Sequence, residues 1–235
     1  MLEGEHLVAV YAARRGAPET LIVTDEAMAR PAVKALAEEH SSRTLIVPAL
    51  LFGELATLPA GVGLLAVVVT PSGTARAPGE FCLLLDDVQD PGNVGSMLRS
   101  AAAAGVAQVL LSKRCAFAWS PKVLRAAQGA HFCVELIEDV DLPGWAADYR
   151  SAGGEVIATV AEGGTSLYAT TLSGRVAVAI GNEGSGLSAA LAAQATRRVT
   201  IPMPGAVESI NAAAAAAVCL FECVRQRSAR GAAIA

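Results

Sequence analysis

Apolar positions along this chain fall into two rhythms. Short unbroken runs, "TLIVT" at 20–24, "TLIVP" at 44–48 and "LLAVVVT" at 64–70, have the length and β-branched content of buried strands. Between them "EAMARPAVKALAEEH", residues 26–40, carries a helical pattern, interrupted near its start by Pro31. Further along, apolar runs place strands at about 82–86, 107–112, 156–160, 175–180 and 198–201, each followed by a longer helical or alanine-rich stretch. Strands that alternate with helices are what a parallel sheet requires, because each parallel neighbour is reached by a crossover. The fold class is therefore α/β. The segment "TPSGTARAPGE", residues 70–80, is built of turn formers and separates the two regions. The expected division is a small α/β domain over 1–72, a linker over 73–80 and a larger α/β domain over 81–235.

Composition narrows this picture. In 235 residues, 53% are hydrophobic and 17% charged, which suits a protein with an ample core. The longest apolar runs, "LLAVVV" and "AAAAAAVCLF", fall well short of the roughly 20 residues that cross a bilayer. No basic start followed by an apolar stretch suggests a secretion signal, so a cytoplasmic protein without membrane contact is expected. The net charge of −4 does not by itself suggest a nucleic-acid binder. Five cysteines form no CxxC. Cys219 and Cys223 would share a helix face, but the histidines lie far from them in sequence, and reduced buried thiols are expected rather than a metal site.

The chemistry concentrates at three strand-to-loop junctions of the second region, where the carboxyl ends of parallel strands gather ligand sites. The first is "DDVQDPGNVGSMLRS", residues 86–100. Asn93 can cap a helix starting near it, Gly95 admits a neighbouring backbone, and Arg99 can face an anion; a cap with a solvated arginine is the plainer alternative. Asp86, Asp87 and Asp90 satisfy local turn groups and receive no chemical role. The second is "AVAIGNEGSGLS", residues 177–188, which matches neither GxGxxG nor a P-loop. Glu183 stands where a phosphate loop avoids negative charge, so a ligand with amine, hydroxyl and cationic groups fits better than a nucleotide phosphate; an ordinary glycine-rich turn remains open. The third is "IPMPGAVESINAAAAAAV", residues 201–218, where a helix is expected from about Glu208 or Ser209. Asn211 then falls inside the first turn, a poor place for this residue unless its amide meets a ligand or another loop.

"DPGNVGSMLRSAAAAGV", "IGNEGSGLS" and "IPMPGAVESINAAAAAAV" together resemble, in order and spacing, the three motifs of the SpoU-type, TrmH-like branch of the SPOUT RNA methyltransferases. The resemblance covers residues 81 to about 227. The region before the linker, with "LEGEHLV" and "ETLIV", is similar to the small RNA-substrate-binding domain, itself like a ribosomal protein, that many members carry. The family implies a deep trefoil knot in the parallel-sheet domain, a homodimer through that domain, and a pocket for S-adenosylmethionine. Carried onto this chain, the cofactor would lie against Thr159, Val160, Ile180, Gly181, Ile201, Met203, Ser209, Ile210 and Ala212. Asn93, Arg99, Glu183, Ser209 and Asn211 match the polar catalytic positions.

The implied reaction is methylation of a ribose 2′-hydroxyl in structured RNA, rRNA before tRNA, without a metal. Arg99 would orient a phosphate or assist removal of the 2′-hydroxyl proton, although a guanidinium with pKa above about 12 is a difficult base. RNA contact would rest on local basic patches, including Arg14, Arg15, Lys113, Arg114, Lys122 and Arg125. Two competing readings stand beside this one: an RNA-binding or assembly factor that keeps the fold without turnover, and a dinucleotide enzyme, which lacks its glycine fingerprint here.

Overall fold

The computed structural model describes residues 1–57, 62–71, 78–229 and 231. The expected linker at 73–80 therefore lies outside the described residues, apart from Pro78 to Glu80. Before it, the elements are β1 (Leu2–Glu3), α1 (Glu5–Arg15), β2 (Thr20–Thr24), α2 (Pro31–Glu39), β3 (Thr44–Val47), α3 (Ala49–Leu55) and β4 (Leu64–Val67). Their sheet runs β1-β4-β2-β3, with β2 and β3 parallel and β4 antiparallel to both its neighbours. The helix expected over 26–40 is shorter than its pattern. Pro31 does not interrupt it but opens it, after a separate 3-10 turn at Ala27–Ala29. At the first helical position a proline has no intrahelical N–H to lose and its fixed φ suits the helix.

After the linker come β5 (Phe81–Leu85), α4 (Pro91–Ala103), β6 (Gln108–Leu111), α5 (Pro121–Ala127), β7 (Glu135–Ile137), α6 (Leu142–Ser151), β8 (Glu155–Thr159) and β9 (Thr165–Ser166). Then follow β10 (Val176–Ile180), α7 (Ala189–Ala192), β11 (Arg197–Thr200) and α8 (Ala212–Ala229). All seven strands are parallel, in the order β7-β6-β5-β10-β8-β11-β9. The five strands expected from apolar runs are present within a residue or so. The additional β7 and β9 are too short to carry a run of their own.

Both faces of this sheet are covered, which is why β5 and β10 read as continuous apolar runs rather than alternating ones. Leu83, Leu85, Val178 and Ile180 point into a core shared with α4, α5 and α8, while Cys82, Leu84, Ala177 and Ala179 pack against α6 and α7. No helix among the described residues is long and apolar enough to cross a membrane. The two sheets are not independent bodies. Leu124 of α5 and Phe132, in the 3-10 turn after it, belong to the same core as Leu7, Tyr11 and Leu21, and the Tyr11 ring meets that of Phe132 edge-on at 5.2 Å.

The strand order has one consequence for chemistry. Because β10 inserts between β5 and β8, the loops leaving β5, β8, β10 and β11 open on the same edge of the sheet. Residues 86–90, 160–164, 181–188 and 201–211 thereby become neighbours.

Candidate active site

Three side chains from three distant segments form one hydrogen-bonded chain at that edge. Asn93 Nδ2 donates to Glu183 Oε1 at 2.7 Å, and Asn211 Nδ2 donates to Asn93 Oδ1 at 2.9 Å. Capping bonds fix two of its three members. Asp90, not Asn93, caps α4: its Oδ1 accepts the Asn93 backbone N–H at 2.7 Å, and the helix opens at Pro91. That corrects the expected start near Asn93 and leaves the asparagine side chain free for the chain of bonds. The final helix also starts later than its sequence suggests. Residues 208–210 are not helical, and Asn211 sits just ahead of the first turn, where its Oδ1 accepts the N–H groups of Ala213 and Ala214 at 2.9 and 3.2 Å. An asparagine that satisfies two orphan amides with its oxygen and reaches Asn93 with its nitrogen stops being an anomaly inside a helix.

The loop after β10 is shaped around its glycines. A Cβ on Gly181 would overlap the backbone of Gly186 and Leu187, because Asn182 and Gly186 close the loop with paired backbone bonds of 3.0 and 2.9 Å. Gly95 serves helix packing instead: a Cβ there would lie 2.8 Å from the Val123 carbonyl oxygen of α5. The backbone approach expected at this position is therefore that of α5.

Beside this junction lies a cleft of about 620 Å³. It is lined by all of Thr159, Val160, Ile180, Gly181, Ile201, Met203, Ser209, Ile210 and Ala212, and also by Glu183 and Asn211. Ile180 and Val199 form a buried apolar floor. Glu162, Glu183 and Glu208 supply the charged groups of its lining, and no lysine or arginine is among the described residues there. Such a site disfavours phosphates and suits an uncharged or cationic ligand with an apolar body. The Thr159 hydroxyl is occupied, donating to the Ala179 carbonyl at 2.9 Å, so this residue offers the cleft its backbone and methyl group. Ser209 lines the cleft exposed, with no hydrogen bond among the described residues.

Asn93 and Arg99 do not line the cleft. Asn93 touches it through Glu183 and Asn211. Arg99 lies six residues further along α4, about 9 Å on at 1.5 Å per residue, and is exposed in a different cavity.

Several residues that hold the site were not singled out from sequence. Asn182 Nδ2 donates to the Asp87 carbonyl at 2.9 Å, while its Oδ1 accepts the N–H groups of Gly184 and Ser185. Asp86 Oδ2 accepts the Ser188 N–H at 2.7 Å, tying the β5 turn to the β10 loop across 102 positions. Asp87, at φ 62°, pairs with the exposed Arg114 at 2.7 Å. An asparagine followed by glycines signals such a side-chain turn; nothing in sequence announces the long reach of Asp86. The thiols of Cys82, Cys219 and Cys223 are buried, and burial pushes each up to about 12, which makes them inert packing groups. Among the described residues no three His, Cys, Asp or Glu side chains are grouped to hold a metal.

Residues 80–221 match the model of the SpoU rRNA methylase family. The chain is 32% identical over 221 residues, covering 94% of itself and 86% of the relative, to the 23S rRNA (guanosine(2553)-2′-O)-methyltransferase RlmP of Bacillus subtilis. It is 40% identical over 146 residues to the 23S rRNA (guanosine-2′-O-)-methyltransferase RlmB of Xylella fastidiosa, a match that spans 62% of this chain and 59% of that relative. The fold resembles the SpoU methyltransferase AviRb from Streptomyces viridochromogenes, solved in complex with AdoMet, at a TM-score of 0.84 and 26% identity over 97% of this chain and 90% of that one.

Proposed function

Since the chain belongs to the SpoU rRNA methylase family, we propose that it transfers a methyl group from S-adenosylmethionine to a ribose 2′-hydroxyl of rRNA, with the cleft at the sheet edge as its cofactor site. The observation that carries this is the bond chain Glu183–Asn93–Asn211, which joins all three motifs at the wall of that cleft. The test is direct. Purified protein, an in vitro 23S rRNA transcript and methyl-labelled S-adenosylmethionine should give label at a single ribose, and a transcript with a 2′-deoxy nucleotide at that position should take none there. Label on the deoxy nucleotide would identify a base as the acceptor and overturn the reaction type. A tRNA pool in the same assay is the comparison arm.

The residues fit the cofactor. Ile180, Ile201, Met203, Ile210 and Ala212 offer apolar contact, Gly181 lets the loop that walls the cleft close on Gly186 and Leu187, and the three glutamates favour a positive charge. When bound, S-adenosylmethionine supplies an activated methyl group for in-line transfer to oxygen. The chain's own groups do the rest. Glu183, Asn93 and Asn211 lock the loops that wall the cleft, and Ser209 presents a free hydroxyl to it. Arg99, exposed and outside the cleft, would orient the RNA phosphate, and the 2′-hydroxyl proton would pass to another acceptor.

The finer architecture belongs to the same proposal. Residues 201–211 would pass through the loop between β8 and β10 as a deep trefoil knot; in support, β10 lies between β5 and β8, and Asn211 reaches back to Asn93. Residues 1–72 would be the RNA-substrate-binding domain, and the protein would work in the cytoplasm. Two copies would pair through the larger domain, bringing Arg99 of one near the cleft of the other. Phe221, 48% exposed on α8, offers an apolar contact for this. A monomer by light scattering at micromolar concentration would rule it out.

A further inference from the structure

Arg99 lies outside the cleft, in surroundings with a chemistry of their own. A cavity of about 290 Å³ opens where α1 meets α4 and the turn after α5. It is lined by Arg99 and by Arg14, together with Val10, Ala102, Gln128 and Cys133, and no carboxylate is among its described lining residues. Both guanidinium groups are exposed and have no ion pair or hydrogen bond among the described residues. Several other arginines are engaged: Arg114 pairs with Asp87, Arg225 with Glu222, and Arg175 and Arg227 grip backbone carbonyls.

Two unpaired cations brought to one cavity from opposite sides of a fold, in a chain of net charge −4, constitute a local positive site with nothing inside the protein to answer it. The helix dipole accounts for a basic residue in the last turn of α1. It does not account for Arg14 sharing a cavity with an arginine from α4. Nor is the meeting loose. A Cβ on Gly129, which has φ +87°, would come within 2.9 Å of Val10, so α1 is seated hard against the turn after α5, and Tyr11, one turn before Arg14 on α1, packs on Phe132.

We propose that Arg14 and Arg99 form a clamp for an RNA backbone phosphate, through which the N-terminal unit contributes directly to substrate positioning. This rests on the RNA reading above and deepens it. Guanidinium groups bind phosphate oxygens by paired charge-assisted bonds, and two of them from separate elements fix the register of the backbone. Arg14 is thus a positioning residue. Residues 1–72 hold five Lys or Arg against eight Asp or Glu, and the clamp offers a reason why this acidic region is compatible with RNA: the contact is made by one well-placed cation rather than by bulk charge.

The test uses the full-length protein and an in vitro 23S rRNA transcript. Arg14→Ala should weaken RNA binding about tenfold and lower the salt dependence by about one phosphate contact, a change of roughly 0.7–0.9 in the slope of log K against log salt. Arg15→Ala, which removes the neighbouring exposed cation outside the cavity, should change binding less than about threefold, and Arg14→Lys should restore part of the loss. S-adenosylmethionine affinity should be unchanged throughout. Cys133 gives a readout free of catalysis: it is exposed and lines the cavity, so RNA should slow its alkylation by iodoacetamide about tenfold in the wild type and much less in Arg14→Ala. Equal losses for Arg14→Ala and Arg15→Ala, or no protection of Cys133 by bound RNA, overturn the clamp. A protein that binds and protects as expected but transfers no methyl group overturns the proposed reaction and leaves the clamp intact.

Discussion

Replacing Asn93 by aspartate exchanges one nitrogen for oxygen and abolishes one hydrogen bond. The wild-type amide donates to Glu183 at 2.7 Å and accepts from Asn211 at 2.9 Å. In Asn93→Asp the acceptor half survives, while the donor becomes a second carboxylate facing Glu183. Two unit charges at that distance repel by about 1.5 kcal/mol in a water-like medium and several times more in a drier one. Glu183 is exposed and can swing away, so the lasting loss is the charge-assisted bond, about 2 kcal/mol, equivalent to roughly 30-fold in cofactor affinity. The loss should depend on pH with a definite sign. A proton shared between the two carboxylates lets them face each other again, so binding by the variant should recover as pH falls towards about 5. Adding Glu183→Gln should rescue the variant at neutral pH, because the new amide can donate to the new carboxylate. Calorimetric titration with S-adenosylmethionine of the wild type, both single variants and the double variant, between about pH 5 and 8, measures all of this. Wild-type affinity in Asn93→Asp at pH 8, or a double variant no better than Asn93→Asp alone, would refute the role assigned to the bond chain.

Three further outcomes are expected. Gly181→Ala places a Cβ against the backbone of Gly186 and Leu187, forces the loop back by roughly 1 Å and should lower cofactor affinity at least tenfold, with a loss of about 1–3 kcal/mol in stability; an unchanged titration and melting curve would exclude it. Arg99→Ala should leave cofactor affinity within a few-fold while cutting methyl transfer about 100-fold, since Arg99 lies outside the cleft; loss of cofactor binding would show the placement to be wrong. His131 is buried, its Nε2–H donating to the Ala118 carbonyl at 2.7 Å with Nδ1 unpartnered, and burial lowers its pKa. Below about pH 6.5 the unfolded chain takes up a proton that the folded one resists, so this residue makes stability fall with falling pH; melting curves of His131→Gln should be flatter across that range, and identical slopes would contradict this.

The larger sheet could be read from the chain because its strands are buried on both faces: "FCLLL" and "VAVAI" leave no polar position to confuse the pattern. Elements with few residues to bury, β7 and β9, could not. Helix starts were misplaced for one reason at both sites. Capping is decided by a single side chain, and Asp90 and Asn211 each displaced the start by satisfying amides that periodicity does not see. The nine cofactor positions implied by the family resemblance all line the cleft, seven of them within the second and third motifs and two, Thr159 and Val160, at the end of β8 outside them. What sequence could not supply was mutual position. Asp86 holding Ser188, and Arg99 turning away from the cleft towards Arg14, depend on strand order and on the docking of α1, which no local pattern encodes.

The bonds from Asn93 to Glu183 and Asn211 span 90 and 118 positions of chain, and this gives the site a place in time as well as in space. During synthesis the N-terminal sheet and strands β5 to β7 emerge with most of their partners already made, whereas the cleft has no third wall until residue 211 has left the ribosome. A product cut short before that point keeps an apolar floor at Ile180 and Val199 open to water, a surface that chaperones and proteases recognise. Cofactor binding by this protein therefore doubles as a report that translation has proceeded at least that far, and a pulse-labelled chain should acquire it as one of its last properties.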